Sequence, residues 1–349
     1  MLVRKRLKRC VIKMYDLITL GEIMLRLSPP GYERMSRGEV FDKRAGGSEL
    51  NVAAGVAHLG LRTGIISKLP DNSIGAFIKN RIRFDGVSDD YLIYDSSDDA
   101  RLGIYYYEYG AAPRKPSIVY DRQNSSFTKL SMNDIPDEVY EKTRMFHTSG
   151  ITLALSKDIR AVAVEMIKKF KEHGALISFD VNYRANLWSE EEAKETICSI
   201  LPYVDVLFIS EETSRRMMAK TGELEDIMKS YTEDYPIKYV CTTQRTVKSP
   251  KCHDFTSTIY SKDADEFYTE KPYENIDVID RIGSGDAYVS GVLFGLLAYE
   301  DPYKALQYGN ATSSVKNTIP GDLPASDFAE INNIIKNHNA TGNVSELNR

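Results

Sequence analysis

From about residue 143 onward, short apolar runs alternate with amphipathic stretches of 10–15 residues, and no other feature narrows the fold as much. Residues 145–148, 175–180 (ALISFD) and 204–209 read as strands. Residues 159–172 and 190–201 read as helices, the second with Ser189 as its N-cap. A helix over 211–219, strands at 239–243 and 256–260, and helices at about 286–299, 302–317 and 326–337 follow. This alternation implies a parallel sheet covered by helices on both faces. The chain starts the same way, with strands at 16–21, 24–28 and 64–68 and helices at 51–59 and 74–84. Residues 91–94, 104–109 and 117–120, rich in Tyr, Ile and Val, interrupt the pattern. Segments 24–46 and 91–125 are therefore expected to form a small β-sheet lid on one domain spanning 15–337.

Composition excludes several classes of partner. The formal charge is -5, from 45 basic and 50 acidic residues, where a nucleic-acid binder is usually basic. The apolar run at 289–299 is far short of the ~20 residues that cross a bilayer. The four cysteines form no CxxC pair and no zinc-type cluster, which suits reduced thiols in a cytoplasmic protein. Residues 1–13, MLVRKRLKRCVIK, carry six basic residues but no apolar stretch with a cleavage site. Residues 1–14 read as an extension that is disordered or not native, with Met14 as the natural start.

Two segments carry chemistry. In DRIGSGDAYVSG (280–291), Gly283 and Gly285 flank Ser284, and Asp286 opens an apolar helix. Two glycines admit a ligand close to the backbone, and the N–H groups at the helix start attract an anion. An aspartate would repel a merely bound anion; it fits where a hydroxyl must lose its proton beside an incoming phosphoryl group. A plain helix start with an Asp cap is the competing reading. No Walker A segment, GxGxxG fingerprint or protein-kinase HRD or DFG element is present. In RAGGSELNVAAGVAHLG (44–60), Gly46 and Gly47 precede polar Ser48, Glu49 and Asn51, suited to a polyhydroxylated ligand. Ala53, Ala54 and Gly55 suit close packing instead.

Together, Gly46-Gly47-Ser48-Glu49-Leu50-Asn51 and Asp280-Arg281-Ile282-Gly283-Ser284-Gly285-Asp286 resemble the two motifs of the ribokinase-like (PfkB) carbohydrate kinases. The resemblance implies a three-layer α/β/α fold with a mostly parallel sheet and a β lid, ATP and Mg2+, and a homo-oligomer joined through the lid. The segments GEIMLRLS (21–28), GIYYYE (103–108), VYDR (119–122) and DVNYRANLW (180–188), with Arg281, are similar to the branch that phosphorylates 2-keto-3-deoxygluconate. Asp286 is then the general base. Gly283, Ser284 and Gly285 form the anion hole with it. Gly47, Asn51, Tyr91, Tyr105, Tyr107, Arg184 and Asp322 contact the sugar acid. Asn182, Thr243, Arg245 and Lys248 lie near ATP, with Gly283 and Gly285. Arg184, just beyond strand 175–180, suits a carboxylate through bidentate hydrogen bonds. Ser210-Glu211-Glu212-Thr213 departs from the N-x-x-E segment of many relatives, so no metal ligand is assigned. Another sugar (fructose, ribose or 2-keto-3-deoxygalactonate) and a non-catalytic sugar- or nucleotide-binding regulator stay open as alternatives.

Overall fold

The computed structural model describes residues 14–340, so the expected N-terminal extension, Met14 apart, lies outside the described residues. In β1 (Tyr15–Leu20) successive side chains enter opposite layers: Leu17 joins one core, Ile18 and Leu20 another. A strand apolar on both faces belongs between two helical layers. β2 (Met24–Ser28) and β3 (Asp42–Gly46) leave the body. Next come α1 (Ser48–His58), β4 (Thr63–Pro70), α2 (Ser73–Phe84) and β5 (Leu92–Asp95). β6 (Gly103–Glu108) and β7 (Ser117–Asp121) join the outlying strands.

The chain then runs through α3 (Glu138–Glu141), β8 (Thr143–Ser149), α4 (Gly150–Ala154), α5 (Lys157–Glu172), β9 (Leu176–Asp180) and α6 (Glu190–Ile200). β10 (Val206–Phe208), α7 (Glu211–Arg216), α8 (Leu224–Asp234), β11 (Tyr239–Ser249) and β12 (Cys252–Ser261) follow. The last elements are β13 (Glu266–Thr269), β14 (Tyr273–Asp277), α9 (Ser284–Tyr299), α10 (Pro302–Lys316) and α11 (Phe328–Asn339).

The large sheet has the order β13-β12-β11-β10-β9-β8-β1-β4-β5, with β14 also on β12. Every pair from β5 to β11 is parallel; β12 pairs antiparallel with β11, β13 and β14. One face packs on α5, α6 and α8, the other on α1, α9 and α10. The sheet, mostly parallel and covered by helices on both faces, is the three-layer α/β/α arrangement expected from the sequence. α9 is apolar around its whole circumference, as a fully buried helix must be. Ser189 caps α6 as expected, its hydroxyl accepting from Glu192 N–H.

The lid is a four-stranded sheet, β3-β2-β6-β7. Its expected extent needs correcting. β5 pairs with β4 in the large sheet, so residues 92–95 belong to the body. The sequence reading missed the helix α8, although its buried Ile227, Met228 and Tyr231 recur at helical spacing, and it missed the strands β13 and β14. β13 and β14 are four- and five-residue strands with few buried positions, so they lack an alternating apolar pattern.

Candidate active site

Two helix N-termini converge on one carboxylate. Asp280 Oδ1 accepts from Ile282 N–H at 3.1 Å, which turns the chain toward α9. Gly283 continues that turn at φ +81°, where a Cβ would collide with the Asp322 carbonyl oxygen. Asp286 therefore lies inside the first turn of α9 and is not its cap, which removes the plain helix-start reading. α1 begins after Gly47, at φ +149°, where a Cβ would collide with the Glu22 carbonyl oxygen. From α1, Ser48 Oγ donates to Asp286 Oδ1 and Asn51 Nδ2 donates to Asp286 Oδ2, both at 2.7 Å. Asn182 Nδ2 in turn donates to Ser48 Oγ at 3.2 Å.

This carboxylate lies on a cleft of about 770 Å³ between the lid and the C-terminal ends of the parallel strands. Burial raises the Asp286 pKa, and the hydrogen bonds from Asn51 and Ser48 oppose the shift. Asp180, the last residue of β9, is pushed up to about 7, first by burial and then by the negative charge of Asp286. The Arg184 guanidinium lowers both. A cleft joining a half-buried carboxylate to helix N-termini can remove a proton from a hydroxyl and bind an anion beside it.

A Cβ on Gly285 would meet nothing within 4 Å, in contrast to Gly283. No packing demands this glycine; the space it leaves opens onto the cleft. Asn51 Oδ1 is buried without a hydrogen-bond partner, although an orphaned acceptor costs about 1–3 kcal/mol. Both features suit a ligand.

Most of the residues singled out in the sequence line this cleft: Gly47, Asn51, Tyr105, Arg184 and Asp322, then Asn182, Thr243 and Arg245, then Gly283, Ser284, Gly285 and Asp286. Arg184 makes no salt bridge among the described residues; its Nη1 donates to the Tyr183 carbonyl at 3.2 Å. Asp322 is already engaged by Arg26 at 2.7 Å and by the Tyr105 hydroxyl.

Three expected contacts lie elsewhere. Tyr91 is in the core against Tyr15, 5.7 Å between ring centroids, because it leads into β5 of the body. Tyr107 points to the same side of β6 as Tyr105 but packs under the Arg26 guanidinium, 4.3 Å from its ring centre. Lys248 reaches Asp254 and Asn275 at 2.8 and 2.9 Å on the outer hairpin, so two residues of the β11 segment reach the cleft and the third does not.

Sequence reasoning missed Asp180 and Ser48 as members of the site. Asp180 ends an apolar strand, where open α/β sheets place ligand-binding groups, and that signal was readable. The bond from Ser48 to Asp286 needs the tertiary fold. Among the described residues no group of three or more His, Cys, Asp or Glu is arranged to hold a metal. Cys198, Cys241 and Cys252 are free thiols. No helix among the described residues is long and apolar enough to cross a membrane.

The model of the pfkB family carbohydrate kinases matches residues 14–325. A 2-dehydro-3-deoxygalactonokinase of Haloferax volcanii is 34% identical over 325 residues, covering 93% of this chain and 98% of its own. A 5-dehydro-2-deoxygluconokinase of Listeria monocytogenes is 27% identical over 326 residues, covering 92% and 96%. The crystal structure of a 2-dehydro-3-deoxygluconokinase from Thermotoga maritima superposes with a TM-score of 0.87 at 33% identity, covering 92% and 99%.

Proposed function

This chain belongs to the pfkB family of carbohydrate kinases, and from that premise we propose that it phosphorylates 2-keto-3-deoxy-D-gluconate on its terminal hydroxyl with MgATP. The observation that carries the proposal is the Asp286 carboxylate, fixed by Ser48 and Asn51 at the mouth of a helix whose first N–H groups face the same cleft.

The sugar's terminal oxygen attacks the γ-phosphorus in line, and its proton passes to Asp286. The new O–P bond forms as the bond to the β-phosphate oxygen breaks, leaving ADP. Burial makes Asp286 a stronger base than an exposed carboxylate. The N–H groups of Gly283, Ser284, Gly285 and Asp286 stabilise the charge on the transferring group. Mg2+ typically takes only one or two carboxylates plus phosphates, so it enters with ATP. Asp180, Glu211 and Glu212 are carboxylates along the cleft that suit it. Its charge offsets that of the phosphates.

Arg184 pairs with the sugar acid's carboxylate, since it lines the cleft and makes no salt bridge among the described residues. The orphaned Asn51 Oδ1 accepts from a sugar hydroxyl. Thr243 and Arg245 on β11 face the nucleotide. The C4 epimer, 2-keto-3-deoxygalactonate, is the second reading, favoured by the name of the Haloferax volcanii relative.

ADP release with MgATP tests this against 2-keto-3-deoxygluconate, its galactonate epimer, gluconate, fructose and ribose. Turnover confined to the two keto acids is expected, and turnover on fructose or ribose alone overturns the carboxylate reading.

The same proposal includes a cytoplasmic location and a homo-oligomer through the lid. Val119 on the edge strand β7 is 57% exposed, on the face of the lid opposite Ile118 and Tyr120, which line the cleft. A Val119→Glu chain that keeps the wild-type mass in light scattering would exclude that interface.

A further inference from the structure

Lys316 is a buried ammonium group with no part in the chemistry above. It ends α10, where a basic residue complements the helix dipole and normally reaches water. Here it is 1% exposed, and its Nζ donates outside its own helix. The acceptors are the main-chain carbonyls of Asp280 at 2.9 Å and Ile319 at 3.2 Å. Asp280 opens the segment leading to Gly283, Ser284, Gly285 and Asp286. Ile319 opens the turn that carries Gly321 and Asp322.

The same two segments are joined a second time through their side chains. Arg26, 0% exposed, donates to Asp280 Oδ2 and Asp322 Oδ1, each at 2.7 Å. Gly321 N–H donates to Asp280 Oδ2 at 3.0 Å. Gly283 lies so close to the Asp322 carbonyl that only glycine fits. Two cations and two carboxylates thus balance in one buried cluster, and each cation spans both segments. Removing a charge from water is costly unless it is paired and hydrogen-bonded. A lysine serving only the helix end would not incur that cost.

We propose that Lys316 is a positioning residue for phosphoryl transfer: by tying the Asp280 and Ile319 carbonyls together, it sets the aim of the loop N–H groups and of Asp286. This rests on the reading of that loop as the phosphoryl-binding element. Displacing a catalytic group by about 1 Å can cost on the order of 10²-fold in rate. Lysine suits the task because it is a compact point charge with several donors.

The test uses the full chain in steady-state assays with MgATP and the sugar acid. Lys316→Met should lower kcat about 100-fold while KM for the sugar acid stays within about threefold of wild type. Lys316→Ala leaves room for a small cation. Ethylammonium chloride should restore its kcat by at least about tenfold, with no gain in wild type or Asp286→Asn and none from sodium chloride at equal ionic strength. A kcat in Lys316→Met within about threefold of wild type, or a loss in Lys316→Ala that ethylammonium does not repair, overturns the proposal. Melting of both variants below the assay temperature overturns it too, because Lys316 then serves the whole fold. A wild type that turns over no sugar acid would sink the kinase reading itself, and is thereby distinguished from these outcomes.

Discussion

Asn51 and Asp286, 235 positions apart in the sequence, are joined by a 2.7 Å hydrogen bond from the Asn51 amide to Asp286 Oδ2. Ser48 holds the other oxygen at the same distance. The carboxylate is thereby held between the first turns of α1 and α9, on the cleft.

Asp286→Asn keeps the shape and removes the base. Its kcat should fall at least ~10²-fold, the lower end for acid–base catalysis, with nucleotide binding by calorimetry largely kept. Near-normal turnover would remove Asp286 from the mechanism.

The glycines on either side of Ser284 should respond in opposite ways. Gly283→Ala places a methyl on the Asp322 carbonyl at φ +81° and should destabilise by on the order of 2 kcal/mol or more. Gly285→Ala meets open space and should leave Tm unchanged or raise it, since Ala is favoured over Gly in a helix by about 1 kcal/mol. Its methyl enters the anion site, so kcat/KM for MgATP should drop at least about tenfold. A stable and fully active Gly285→Ala would show that the space is not used.

Asp180 and Asp286 titrate as neighbours, and this gives pH predictions with a definite sign. The folded-state pKa of Asp180 is raised to about 7 from 3.8, by burial and then by Asp286. Between those values the folded chain holds a proton that the unfolded chain has lost. That contribution favours folding at low pH and is lost as pH rises through about 7. Asp180→Asn should therefore melt higher than wild type at pH 8, by roughly 2–4 °C per kcal/mol, and the gap should shrink at pH 5. A melting gap that stays the same between pH 5 and pH 8 would argue against the raised Asp180 pKa.

Arg184→Ala should raise KM for the keto acid at least about tenfold, the loss of a charge-assisted pair. Any activity on a neutral sugar should change little. Equal losses on both would end the carboxylate role.

The alternation after residue 143 and the two glycine motifs determined the layered fold, the parallel sheet and the loop bearing Asp286. These signals are local: strand and helix periods lie in adjacent residues, and a glycine turn before a helix needs no distant partner. The alternation of Tyr105 and Tyr107 was also readable, but not that Arg26 covers one and the cleft the other. Tyr91 and Lys248 carry suitable side chains, yet strand pairing in the body and an ion pair on the outer hairpin take them from the cleft. Only the tertiary structure set Ser48 and Asn51 on Asp286, closed Arg26 on Asp280 and Asp322, and led Lys316 to the Asp280 carbonyl. Hydrogen bonds and buried charges depend on distances between segments, and those distances exist only once the chain has folded.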